Sequence, residues 1–417
     1  MDSKKMFETL KYFKPYLTRT SVESQLKQMV IYPEFKRVYE QNRQEDENLD
    51  VLSNICKTLV YGVENNLLTE EKLDELLFRL IEDKLLLSFL YRLDGQDFLP
   101  EDTNALPSVL TKWGFPKSNK ILKGITLNPG TENFVPCGYR TNDSDSIRIL
   151  IMDKKLTEVK EKDKEAYNTV FTTLIEFDFR RKLLHIRLRD IDNITNSDRD
   201  VSTMEGRINR TLRYIESLAP SISFRKITSF RESLFKLEEN ILIPKRLEAD
   251  KKIDSFRVEI ENFTSLIDSK FNPSHENDVT TADYISNTLL ALISSSLDLS
   301  TIGDVVGIKF RNRREEDESS FAEVSISDKG FKCISTDKLY WSNLSTLLEQ
   351  GKIEFLKIST VLPSGFVDAN LEVRLETATV KLNQNSKGKP EEGKKQPTDE
   401  KYYDFIEYLL PFISENN

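Results

Sequence analysis

The apolar positions of this chain change their period twice, and each change marks a boundary. Up to about residue 95 the spacing is helical. The clearest helix is predicted to start at Thr69, with Glu70 and Glu71 in its first turn, where carboxylates favour the positive end of the helix dipole. Leu73, Leu76, Leu77, Leu80 and Ile81 then recur on one face, and the apolar run continues through Phe89 to Leu93 before Asp94-Gly95. This pattern predicts a helical bundle. A DNA-binding helix-turn-helix would need a short Gly turn between two helices and a less acidic face.

Residues 96–145 read as irregular, punctuated by Pro100, Pro107, Pro116, Pro129 and Pro136. From Ser146 the period becomes two, with Ile147, Ile149 and Ile151 on one face of a strand. A hairpin follows. Ile175, Phe177 and Phe179 share a face of its first strand, and Leu184, Ile186 and Leu188 share a face of its second. A turn through Arg180-Arg181 sets Phe177 opposite Leu184 and Ile175 opposite Ile186, because a slip of one residue would expose both apolar sets. The other face then carries Glu176, Asp178, His185, Arg187 and Arg189, with His185 the cross-strand partner of Glu176.

Helical spacing returns over about 203–218, 229–239, 247–271 and 281–295, with Pro244 read as a break. A second strand-rich region spans 303–383. In it, 321–335 is predicted to be a hairpin turning at Ser327-Asp328-Lys329-Gly330, and 352–361 a strand. Another strand covers 369–382, where the apolar phase shifts after Glu376 as it would at a bulge. The stretch 383–400 has almost no apolar residue and is expected to be a disordered loop. A closing helix over 402–413 is expected to dock on the strands. The fold class is therefore α+β: a helical N-terminal domain (1–95), an α+β middle domain (96–300) and a strand-rich C-terminal region (301–417), with mixed antiparallel sheet regions and interspersed helices.

Length and charge sharpen this picture. At 417 residues the chain exceeds one ordinary core, which favours several domains. A net charge of -9 argues against bulk attraction to nucleic acid or anionic membrane. No apolar run approaches the ~18 residues of a membrane span, and no signal-peptide pattern opens the chain. Cys56, Cys137 and Cys333 are odd in number and far apart, which suits buried free thiols in a reducing, cytoplasmic setting.

The motifs of common chemistries are missing. There is neither a phosphate-binding Gly-x-x-x-x-Gly-Lys-Ser/Thr loop nor a Gly-x-Gly-x-x-Gly, and only two histidines, His185 and His275, so no cofactor is expected. His275 sits in a loop-like stretch that suggests a solvated ring. A metal-dependent nuclease could be built on Asp145, Asp153 and Lys155, with Asp143, Glu176 and Asp178 as further carboxylates. Such enzymes hold Mg²⁺ between acidic side chains and use a lysine beside the attacked phosphate.

The strongest positive signal is local charge. Residues 176–246 hold 15 Lys and Arg against 11 Asp and Glu, so this segment is +4 within an acidic chain. Arg207, Arg210 and Arg213 recur at three-residue steps on one predicted helix, and Arg187 and Arg189 share a strand face. Arginine's planar fork suits phosphate oxygens, and Tyr214, Phe224 and Phe230 could stack on unpaired bases. The expectation is a non-catalytic, nucleic-acid-associated recognition or accessory protein. Arg187, Arg189, Arg207, Arg210 and Arg213 would contact DNA or RNA, and a bacterial genome-defence system would suit its character. The alternatives are a protein-interaction scaffold, with a protein partner or a second copy of the chain, and the nuclease.

Overall fold

The structure is a computed structural model. It describes all residues except 95–104, 126–133, 143–145, 161–164, 190–192, 196–197, 276, 298–303, 315–316, 329–331, 384–397 and 414–417. The chain divides into two units, Met1–Arg225 and Lys226–Asn417.

The first unit opens with five helices: α1 (Ser3–Lys11), α2 (Arg19–Gln28), α3 (Phe35–Glu45), α4 (Val51–Glu64) and α5 (Glu70–Glu82). Four of them start at a side-chain cap. Asp2, Thr18, Asp50 and Thr69 accept the backbone N–H of Lys5, Ser21, Ser53 and Lys72, which satisfies donors that a helix N-terminus leaves open. After them come β1 (Leu87–Asp94), α6 (Ala105–Lys112), α7 (Ile121–Gly124), β2 (Phe134–Asn142), β3 (Ser146–Asp153), β4 (Thr157–Val159), β5 (Tyr167–Thr169), β6 (Thr172–Asp178) and β7 (Leu183–Leu188). The unit ends with α8 (Arg199–Ser202), α9 (Met204–Glu216) and β8 (Ser223–Lys226).

Five strands pair antiparallel in the order β1-β7-β6-β3-β2. The expected hairpin forms in the expected register: Ile175 faces Ile186, Glu176 faces His185 and Phe177 faces Leu184. One difference lies at residues 83–94. The helical reading of that stretch is overturned, because α5 stops at Glu82 and Leu87–Asp94 is a strand paired to β7. Leu85–Tyr91 is buried on both sides, so it is a continuous apolar run whose periodicity cannot distinguish helix from strand. The helices and the sheet also share one core. Leu73, Leu77 and Leu80 of α5 belong to the same cluster as Val135, Leu150 and Leu174 of the strands, so the boundary expected at residue 95 falls inside this unit.

The second unit holds α10 (Phe230–Ile253), α11 (Arg257–Phe271), α12 (Thr281–Ile293), β9 (Asp304–Arg314), β10 (Asp317–Ser327), α13 (Lys338–Gln350), β11 (Phe355–Leu362), β12 (Gly365–Arg374), β13 (Thr377–Leu382) and α14 (Asp399–Ile413). Its strands pair antiparallel in the order β10-β9-β11-β12-β13, and α10, α13 and α14 pack on them. Lys401 and Asp404 of the closing helix α14 bond the Phe366 carbonyl and the Ser364 N–H, as the docking expectation requires. Of the loop expected over 383–400, residues 384–397 lie outside the described residues, and Asp399 and Glu400 already belong to α14.

Three local readings are corrected. Pro244 does not break α10, although a proline there leaves the Asn240 carbonyl without its helical donor. Arg246 reaches back across the proline to Glu238, with both groups also on the Tyr340 hydroxyl, and this buried clasp holds the two halves in line. The hairpin expected over 321–335 is instead formed between β9 and β10, with Ile326 opposite Ile308, and the chain goes on into α13; Gly330 lies outside the described residues. The phase shift after Glu376 is a tight hairpin. Arg374 faces Thr377, and the two residues between them, Leu375 and Glu376, have φ of 53° and 61°. That is the left-handed pair a two-residue hairpin turn demands, here made without glycine or asparagine.

Candidate functional site

In the first unit the residues with chemistry gather under α5. Arg140, Arg148, Glu176 and His185 form one rung across β2, β3, β6 and β7, each the register partner of the next. Glu82 lies over it, accepting from Arg140 at 2.8 Å and Arg148 at 2.7 Å, while Glu176 takes Arg148 at 3.2 Å and Glu75 takes Arg140 at 2.7 Å. The alternation places Glu176 and His185 opposite the apolar face, as expected, whereas Arg140 lies on a strand in the stretch expected to be irregular. Their face is nonetheless enclosed, because α5 covers it. Each buried charge therefore needs a counter-charge, and the rung supplies them in turn. Burial pushes the His185 imidazole down to about 3, against the smaller pull of Asp178, so the ring is neutral at physiological pH.

The five arginines expected to meet phosphate are engaged inside this unit, to different degrees. Arg187 is fully buried and donates to the carbonyls of Leu85 at 2.9 Å and Glu82 at 3.2 Å, tying the α5–β1 corner to β7. Arg189 donates to the Pro15 carbonyl. Arg207 is buried, donates to Asp153 at 2.7 Å and stacks 3.4 Å over the Phe171 ring. Arg210 takes the other Asp153 oxygen and lies over Phe134. Arg213 alone of the five is largely in water, paired to Asp200 at 2.8 Å. The physical reason is rotational. Steps of three residues turn an α-helix by about 300°, so each arginine lags the last by about 60°. The row winds from the core to the surface of α9 and makes no single face. The aromatic residues are absorbed as well. Tyr214 packs on Phe134, Phe224 on Tyr91, and Phe230 is buried.

The nuclease constellation meets the same obstacle. Asp153 already takes a guanidinium on each oxygen, so its charge is compensated and two fixed cations repel a third. Asp143 and Asp145 lie outside the described residues. Among the described residues no three His, Cys, Asp or Glu side chains gather as a metal site would require. The thiols of Cys56, Cys137 and Cys333 are free and buried, and burial pushes the Cys56 thiol up to about 12. His275 is held, not solvated: its ring nitrogens lie 3.2 Å from Glu349 and Thr281, and it stacks on Tyr284.

The feature that has no internal explanation is in the second unit. Helix α11 buries only Ile260 and Thr264, yet Phe256, just before it, and Phe263, Leu266 and Phe271 within it are 53%, 52%, 50% and 75% exposed. Phe256, Ile260, Phe263, Ile267 and Phe271 recur at steps of four, three, four and four, which makes one apolar stripe. One edge of the helix packs on α12, while Phe256, Phe263 and Phe271 of the stripe face out. Asn272 ends α11 in the left-handed conformation at φ 45°, which fixes where the stripe stops. On the inner side of this hairpin a cavity of about 390 Å³ opens between α10, α11, α12 and α13, lined by residues that include Arg246, Asp250, Asp254, Ile260, Asp283 and Trp341. Burial, then Asp254 and Asp283, raise the Asp250 carboxyl above its ordinary range. The sequence spacing announced the α11 stripe, but not that it faces water. Among the described residues, no helix is long and apolar enough to cross a membrane. Neither protein-family models nor curated proteins give a match to this chain.

Proposed function

We propose that this protein is a non-catalytic interaction component, and that a protein partner docks on the outer face of the α11–α12 hairpin. The observation that carries this reading is the row of half-exposed phenylalanines on α11. Scattered apolar residues on a surface need no explanation, but a stripe of aromatic side chains along one helix marks a docking face. The polar side of α11 favours protein over lipid. It carries Glu259, Glu261 and Asp268 against Arg257 and Lys270, whereas a helix that lies on an anionic membrane is rich in cations. Association with DNA or RNA draws little support from the arginine segment, since four of its five chosen residues donate to Asp153 or to backbone carbonyls.

The test has two arms on the full chain. The dye bis-ANS, which fluoresces on apolar surfaces, is expected to bind at sub-micromolar protein and to lose most of its signal in Phe263→Glu. Fluorescence anisotropy with duplex DNA, single-stranded DNA and RNA is expected to show no binding at moderate salt. Salt-dependent binding that weakens in an Arg207/Arg210/Arg213→Ala variant of unchanged stability would restore the nucleic-acid reading.

A further inference from the structure

The spacing of the α11 stripe is close to a palindrome, and this singles out an occupant. We infer that the face is covered by α11 of a second copy of the chain, running antiparallel; the inference rests on the docking face proposed above. With the two-fold axis between Phe263 and Thr264, Phe256 stands opposite Phe271 of the other copy, and the two Phe263 side chains meet beside the axis. One register therefore brings the exposed phenylalanines of the two copies together at the centre and at both ends of the helix. A two-fold contact must be self-complementary in this way, because the same patch serves both sides.

The charges on the open flank agree. Glu259 and Lys270 are both exposed, lie on the flank of the stripe away from the buried Thr264, and form no ion pair among the described residues. In the antiparallel register Glu259 of each copy approaches Lys270 of the other, so both meet opposite charge twice. The area is also adequate. At roughly 200 Å² for a whole aromatic side chain and somewhat less for leucine, the exposed parts of Phe256, Phe263, Phe271 and Leu266 come to about 440 Å². A stable homodimer covers about 800 Å² on each partner, about 65% of it apolar.

The experiment is sedimentation velocity of the full chain from 0.5 to 50 µM, with charge reversals that separate this pairing from any other. The wild-type chain is expected to be a dimer that dissociates on dilution. Phe263→Glu, which places two carboxylates beside the axis, is expected to raise the dissociation constant at least tenfold. Glu259→Lys and Lys270→Glu are each expected to weaken the dimer, because each sets like charges opposite one another at both ends. An equimolar mixture of the two single variants is expected to recover dimer, since only the mixed pair restores both contacts. A wild-type chain that is monomeric throughout overturns the second-copy inference. If that monomer binds bis-ANS through Phe263, the docking face stands and its occupant is a different protein; if it does not, the docking face falls too. A dimer indifferent to all three substitutions shows that the chain self-associates elsewhere and likewise overturns the inference.

Discussion

Asp153 offers the sharpest separation of structural from catalytic chemistry in the first unit. Its carboxylate is nearly enclosed and accepts from Arg207 and Arg210, themselves mostly buried. Burial pulls the Arg207 guanidinium below its usual range, and Asp153 is the main group that opposes it. Asp153→Ala therefore leaves two cations without their counter-charge in a low-dielectric setting. Breaking a buried pair in this way costs about 3–5 kcal/mol, whereas Arg213→Ala removes an exposed pair worth about 0.5 kcal/mol or less. The chain has two tryptophans, Trp113 in the first unit and Trp341 in the second, so Trp113 fluorescence in a Trp341→Phe background reports the first unit. With a urea dependence of about 3 kcal/mol per molar for a unit of this size, the midpoint is expected to fall by about 1–1.7 M in Asp153→Ala and by about 0.2 M or less in Arg213→Ala. An unmoved midpoint in Asp153→Ala, together with loss of a Mg²⁺-dependent cleavage shown by the parent, would refute the structural assignment and return Asp153 to metal binding.

Other consequences follow from the same network. His185 titrates below its unfolded value, so between about pH 6.5 and pH 3 the unfolded chain binds a proton that the folded chain refuses. Stability from this group is full above pH 6.5 and falls with pH, by up to about 1.4 kcal/mol per unit. Urea midpoints at pH 7, 6 and 5 are expected to converge toward those of His185→Asn as pH drops, and parallel curves would refute the burial argument. Glu82→Gln removes the charge shared by Arg140 and Arg148 and is expected to destabilise the first unit by about 3 kcal/mol, read by the same Trp113 signal. In the β12–β13 turn, Leu375→Asn with Glu376→Gly relieves two left-handed non-glycine residues and is expected to stabilise the second unit by about 1 kcal/mol, seen as a higher thermal midpoint.

What could be read from the sequence follows how local the deciding physics is. The β6–β7 register is legible because it depends on two alternating patterns separated by a short turn, and a one-residue error would put Glu176, His185 and Arg187 into the apolar layer of the other face. The start of α5 was legible because a cap at Thr69 is settled within four residues. Its end was not. Lys84 to Tyr91 reads the same whether a helix or a buried strand follows, and only pairing with β7, about a hundred residues on, decides it. The turn at Leu375-Glu376 cannot be told from a bulge in the sequence for a related reason: both conformations shift the apolar phase, and the residues that usually announce a hairpin turn are missing.

The candidate sites depend on a further layer, the direction in which a patterned face points. Three-residue spacing makes the arginines of α9 resemble a phosphate comb only if it keeps them on one face, while the 60° lag per step carries Arg207 into the core and leaves Arg213 in water. The α11 stripe is the converse. By its spacing it is an ordinary core-facing helix, and nothing in Phe256, Phe263 or Phe271 distinguishes a stripe that the chain itself covers from one left open. What distinguishes them is supply. The sheet of the second unit is already covered by α10, α13 and α14, and α12 reaches only one edge of α11, so no element among the described residues covers the rest. An apolar helix in excess of its own core is the kind of face the proposed partner would cover. The near-palindromic spacing of its phenylalanines, with Glu259 and Lys270 at opposite ends of the same flank, makes a second α11 the match that needs no further ingredient.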